Sequence, residues 1–176
     1  MNQKVFIVCL DKDMALQVAK SIIYEDDNYT IAQTFTTDSD YDNKNENYEV
    51  YLDANTVNLS YKNNSLLFIK TTKYISYGIT IDEFYNNDIC IMNIEEYNLI
   101  PENIFNKYDI VTVWIDTKSH KNLSNSDLIE IGYFNDFLEK TTYLYFLDSE
   151  SNIHSVILSY LKADENMKKA ILDENN

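Results

Sequence analysis

The chain has 176 residues, 45% of them hydrophobic, and a formal net charge of −15. That length permits one domain with a real core, and no apolar run approaches the roughly 18 residues of a membrane-spanning helix. All 14 basic residues are lysine, so the bidentate clamp that arginine offers phosphate, carboxylate and guanine is missing, and with this charge a direct role in binding nucleic acid is excluded.

The first residues are a short apolar stretch followed at once by charge, without the length or cleavage site of a secretory signal. Cys9 and Cys90 lie at or near the ends of strand-like apolar runs and read as small buried hydrophobes. No Cys-x-x-Cys or His-x-x-His pair offers a zinc site, so neither metal nor cofactor is expected. These features predict a reducing, cytoplasmic setting. Fifteen Tyr, abundant Asn, Ile and Lys, two Gly and one Pro are what AT-rich codons favour, which suggests a virus or phage, and so a host cytoplasm or a virion.

In chain order, Lys4 to Leu10 reads as a strand buried on both faces, and Asp11-Lys12-Asp13 opens a helix with Met14, Ala15, Val18, Ala19, Ile22 and Ile23 at helical spacing. Strand, turn, helix is the opening of a parallel α/β sheet. A second strand is expected over Tyr29 to Thr36, then a polar surface loop from Thr37 to Asn47. Three short runs follow, Tyr48 to Leu52, Thr56 to Tyr61 and Leu66 to Lys70. Their close spacing predicts a small antiparallel meander. Alternation then resumes, with a strand over Asp88 to Ile94, a helix over Glu95 to Phe105 interrupted near Pro101, and a strand over Asp109 to Ile115. A helix over Ser124 to Glu139, a last core strand over Tyr143 to Leu147 and a closing helix over Ser151 to Leu161 complete the pattern. The reading is one α/β domain over 1–161, with a parallel core sheet flanked by helices, an antiparallel insertion at about 37–87, and a charged tail over 162–176 that forms a weakly docked helix or frays.

This order, with the residues on it, resembles the guanylate kinase family of nucleoside monophosphate kinases. In that family the first strand leads into a phosphate loop; here Val5-Phe6-Ile7-Val8 leads into Asp11-Lys12-Asp13. A Thr-Thr-Arg element is matched by Thr36-Thr37-Asp38, a Tyr-Gly-Thr element by Tyr77-Gly78-Ile79, and a strand with an acidic end by Ile91-Met92-Asn93-Ile94-Glu95. The resemblance implies a P-loop-kinase-like topology and a vestigial nucleotide site at Lys12, Thr36, Thr37, Tyr77 and Glu95. The departures fall on the chemistry. Leu10 to Leu16 contains no glycine, so backbone N–H groups have no loop in which to converge on a phosphate. Asp11 and Asp13 flank Lys12 and repel a polyanion. Asp38 replaces an arginine, and no lid arginine exists. Phosphoryl transfer is mainly positioning and charge neutralisation, so loss of kinase activity is expected and no catalytic residue is assigned.

Other readings are weaker. Asp11 and Asp13 would suit a magnesium pair of the receiver-domain kind, but no acidic phosphoacceptor or final-strand lysine accompanies them; helix capping explains Asp11. Tyr77-Gly78 reads as a turn and Trp114 as core. His120 and His154 read as surface residues without a nucleophile, and Glu95 and Glu96 as acids at a helix N-terminus. Tyrosines cluster in and around the insertion: Tyr41, Tyr48, Tyr51, Tyr61, Tyr74, Tyr77, Tyr85 and Tyr97. Exposed tyrosine gives large contact area at small rotamer cost, so Tyr41, Tyr48, Tyr51, Tyr61 and Tyr74 are the expected surface for a protein partner, with a homo-oligomer a further option. The favoured function is therefore a non-catalytic interaction or structural protein. The alternatives are an atypical nucleoside monophosphate binding protein or kinase, and an acidic inhibitor that mimics DNA.

Overall fold

The computed structural model describes residues 3–10, 12–40, 48–116, 134, 138, 141–147 and 152–175. Four parallel strands form the core sheet: β1 (Lys4–Cys9), β6 (Ile89–Asn93), β7 (Ile110–Asp116) and β8 (Thr142–Leu147), in the order β6-β1-β7-β8. The continuous apolar run of β1 has its physical cause here, because both faces of the sheet are covered. Val5, Ile7 and Cys9 point to one side, where Ala15, Ala19 and Ile22 of helix α1 (Lys12–Glu25) and Ile153 and Ile157 of helix α6 (Ile153–Lys162) pack. Phe6 and Val8 point to the other, among Phe84, Met92, Tyr97, Trp114 and Phe134. Each fully buried Val, Ile, Phe or Met among them contributes about 1.5–3 kcal/mol. On that second side the hydroxyl of Tyr97 lies 2.8 Å from Thr112 Oγ1, which satisfies the buried polar group of β7.

The second sheet has the order β3-β2-β5-β4, from β2 (Thr34–Thr36), β3 (Glu49–Tyr51), β4 (Leu66–Thr71) and β5 (Ser76–Thr80). Two expectations are corrected here. The predicted second core strand touches the core sheet only through the bridge of Ile31 to Ile89 and then leaves it, so that β2 belongs to the second sheet. That sheet is mixed, since β2 pairs with β3 in parallel while β5 pairs antiparallel with both β2 and β4. Nor is it a meander, because the run expected as its middle strand is helix α2 (Ala54–Lys62). Asp53 starts that helix by accepting hydrogen bonds from the N–H groups of Asn55 and Thr56 at 3.0 and 3.1 Å, the work of an N-cap. The alternation of Val57, Leu59 and Tyr61 imitates a strand, yet only Val57 is buried.

Tyr77-Gly78 lies inside β5 rather than in a turn. Gly78 is required by close approach: a Cβ there would sit 2.2 Å from the Phe68 carbonyl oxygen and 3.1 Å from the Phe35 ring. Helix α3 (Ile81–Asn86) leads into β6, and α4 (Ile94–Tyr97) and α5 (Glu102–Lys107) flank Pro101 as expected. The expected helix over Ser124 to Glu139 lies outside the described residues except for Phe134 and Leu138, which are helical and buried. The tail forms helix α7 (Glu165–Asn175), which packs on the core through Ile171 and Leu172.

Candidate functional site

The carboxyl ends of β1 and β6, the place where α/β sheets bind ligands, meet one face of the second sheet through the contacts of Lys12 with Tyr77 and of Lys70 with Glu95, and these contacts bound the cleft considered as the site. Strand pairing identifies the side chains on the sheet's inner face, since paired residues share a face. Thr36 is paired with Tyr77 and Tyr51, Tyr77 with Lys70, and Thr34 with Glu49.

Across the cleft stands Glu96. Asn93 ends β6 and caps α4 in a reciprocal box: its side chain accepts from the Glu96 N–H at 2.9 Å, and Glu96 Oε2 accepts from the Asn93 N–H at 3.0 Å. The other oxygen of Glu96 accepts from Lys12 Nζ at 3.0 Å. Glu96 is 1% exposed, so both oxygens of a buried carboxylate are satisfied and the first lysine of α1 is held by one of them. Lys70 is ion-paired with Glu95. The two ammonium groups approach the Tyr77 ring, Lys12 at 6.0 Å and Lys70 at 5.9 Å from its centre, the range of a cation–π contact. Burial raises the Glu49 carboxyl above the usual carboxylate range against the pull of Lys12, and Glu96 and Asp38 reinforce the rise.

The structure thus gathers Lys12, Tyr77 and Glu95 of the expected residues, and it adds Glu96, Lys70, Asn93 and Glu49. Thr36 and Thr37 are present but occupied: Thr36 Oγ1 accepts from the Asp38 N–H at 3.2 Å, and Thr37 Oγ1 accepts from the Ser76 N–H at 2.8 Å. Asp38 turns its carboxylate to the Asp40 N–H at 3.0 Å. Between Cys9, the last residue of β1, and Lys12, the first of α1, the sequence has two residues, Leu10 and Asp11, and no glycine. The chemistry available is that of two lysine–glutamate pairs around a tyrosine ring.

The expected partner tyrosines do not form one patch. Tyr41 lies outside the described residues, and Tyr48 is partly buried beneath Lys20. Tyr51 is on the cleft face, whereas Tyr61 and Tyr74 line a separate groove behind the sheet. His120 is outside the described residues, and His154 bonds Glu25 at 2.9 Å, at the opposite end of α1 from Lys12. Both cysteines are buried, and burial pushes the Cys90 thiol up to about 12. Among the described residues no cluster of His, Cys, Asp and Glu is placed to hold a metal, and no helix is long and apolar enough to cross a membrane.

No protein-family model matches the sequence, and no curated protein does either. A solved structure does. A guanylate kinase from Anaplasma phagocytophilum superposes over 98% of this chain and 94% of its own, with a TM-score of 0.60 at 12% identity. The chain has a guanylate-kinase-like fold. At that identity the likeness concerns architecture: a parallel core sheet flanked by helices with a second mixed sheet beside it.

Proposed function

We propose that the protein is a non-catalytic interaction protein that uses a guanylate-kinase-like fold as a scaffold. The observation that carries this reading is the Lys12–Glu96 pair. A lysine that serves a phosphate must present its charge to the ligand, and this one is neutralised by a buried carboxylate fixed in a capping box. The cleft around it holds Glu49 and Glu95 as well and no arginine, so a nucleoside monophosphate entering it meets carboxylates.

Isothermal titration with GMP, dGMP and ATP, each with and without magnesium, tests the proposal together with a coupled assay for ADP. The expected result is no binding heat and no turnover above background. Micromolar binding of GMP with phosphoryl transfer from ATP would establish an atypical kinase instead.

A further inference from the structure

The second sheet is joined to the core sheet by two short pieces of chain, Ile31 to Gln33 on the way out and helix α3 on the way back. Its apolar anchorage is one-sided. Leu67 and Phe68 of β4 and Ile79 of β5 belong to the core cluster that holds Phe84, Met92 and Ile94. Phe35 of β2 and Val57 of α2 are buried too, yet no described residue of β2, β3 or α2 belongs to either core cluster. The half of the second sheet built on β2 and β3 is therefore held to the core by something other than shared apolar packing.

What crosses is lysine. Lys12 and Lys20 stand eight residues apart on α1 and reach outward to two rings. The Lys12 ammonium lies 6.0 Å from the centre of Tyr77, in β5, and the Lys20 ammonium 5.5 Å from the centre of Tyr48, whose carbonyl accepts from the Thr34 N–H of β2 at 2.8 Å. Lys70 of β4 reaches the other way, to Glu95 of α4, and passes 5.9 Å from the same Tyr77 ring. Lys12 is itself anchored on the core side by Glu96. Lys70 and Glu95 remain 28% and 45% exposed, so these are partly solvated contacts, each weak and screened by salt.

We propose that Lys12, Lys20 and Lys70 form an electrostatic clasp that holds the second sheet on the carboxyl ends of β1 and β6 with the cleft empty, and whose release opens the cleft face to solvent without unfolding either sheet. The clasp is built entirely from this chain's own side chains, so closing needs no ligand. Charge and ionic strength set access to the cleft, while Leu67, Phe68 and Ile79 keep the β4 side in place as the fixed edge. This goes beyond the non-catalytic reading and does not depend on it.

Thr36 supplies the test, because it is buried and pairs with Tyr77 and Tyr51 on the cleft face. Thr36→Cys in the full chain is labelled with a disulfide reagent, Cys9 and Cys90 being buried. Adding Lys70→Glu is expected to raise the labelling rate about two- to fivefold, the worth of one partly exposed ion pair. The charge-swapped Lys70→Glu/Glu95→Lys returns it to the Thr36→Cys value, and about 0.5 M salt raises it in the unswapped protein. Lys162→Glu, which breaks the pair with Asp26 at the far end of α1, leaves the rate unchanged and so separates the clasp from a general loss of stability. Should Lys70→Glu fail to fold by circular dichroism, Lys70→Met, which removes only the charge, is read in its place. A rate indifferent to loss of the Lys70 charge, or one that the swap does not restore, overturns the proposal. Binding heat with GMP would sink the non-catalytic reading and leave the clasp standing, whereas an unmoved labelling rate removes the clasp alone.

Discussion

Lys12 Nζ lies 3.0 Å from Glu96 Oε1 across the mouth of the cleft, and the two partners differ in exposure: the lysine side chain is 31% exposed and the glutamate 1%. That asymmetry makes the pair's two halves unequal in cost. Lys12→Met leaves a buried carboxylate with only its capping bond, which destabilises by about 3–5 kcal/mol. Glu96→Gln keeps the capping geometry and lets Lys12 turn to water, for about 1–2 kcal/mol. Urea denaturation of both variants measures the difference; equal costs would show that Glu96 is not effectively buried. On the proposed non-catalytic reading, Glu96→Gln is expected to remain silent toward GMP, because the sequence between β1 and α1 has no glycine with which to build a phosphate loop.

At Gly78 the second sheet leaves no room for a side chain. Its missing Cβ leaves room for the Phe68 carbonyl 2.2 Å away and for the Phe35 ring. Gly78→Ala forces β5 away from β4, and overpacking of this kind costs about 1–3 kcal/mol. A lowered denaturation midpoint with an unchanged slope is the expected signature. An unshifted midpoint would mean that the strands are free to separate there at no cost.

What the sequence disclosed and what it hid divide along the range of the interactions involved. The first strand of the core sheet was legible because burial on both faces writes an unbroken apolar run from Val5 to Cys9, and β7 was legible because only Thr112 interrupts the apolar residues from Ile110 to Ile115. Helix α2 was misread because a lone buried Val57 gives no helical stripe, while Val57, Leu59 and Tyr61 alternate by chance; the legible signal was Asp53, a capping residue just ahead of the run. Gly78 looked like a turn residue because close approach between strands leaves no local trace. Of the site, Lys12, Tyr77 and Glu95 followed from the family resemblance. Glu96 did not, although Asn93-x-x-Glu96 is a capping pattern that fixes its orientation; that it meets Lys12 depends on the parallel pairing of β1 with β6, which brings together residues 84 positions apart.

Neither thiol is open to solvent. Cys9 and Cys90 are buried in the core sheet, and burial pushes the Cys90 thiol up to about 12, whereas reaction requires the thiolate. The native protein at pH 8 is therefore expected to give no colour with a disulfide reagent, and two thiols per chain in 6 M guanidinium. Rapid native labelling would reveal opening of the core sheet.

Glu49 supplies a pH dependence whose sign is fixed by its raised carboxyl, a rise owed first to burial and then to the repulsion of Glu96 and Asp38. Well below the ordinary carboxylate value both folded and unfolded chains hold this proton, and the residue is neutral in each. As pH rises the unfolded chain releases it first, so the folded state binds more protons and stability falls through the window between the ordinary value and the raised one. Above that window the loss is complete. Glu49→Gln removes the titration, so the variant should match the parent at about pH 3 and exceed it at pH 7, by a margin that Lys12 reduces. Denaturation curves of the two proteins at both values measure this. A variant less stable than the parent at neutral pH would show that attraction to Lys12 outweighs the burial of Glu49.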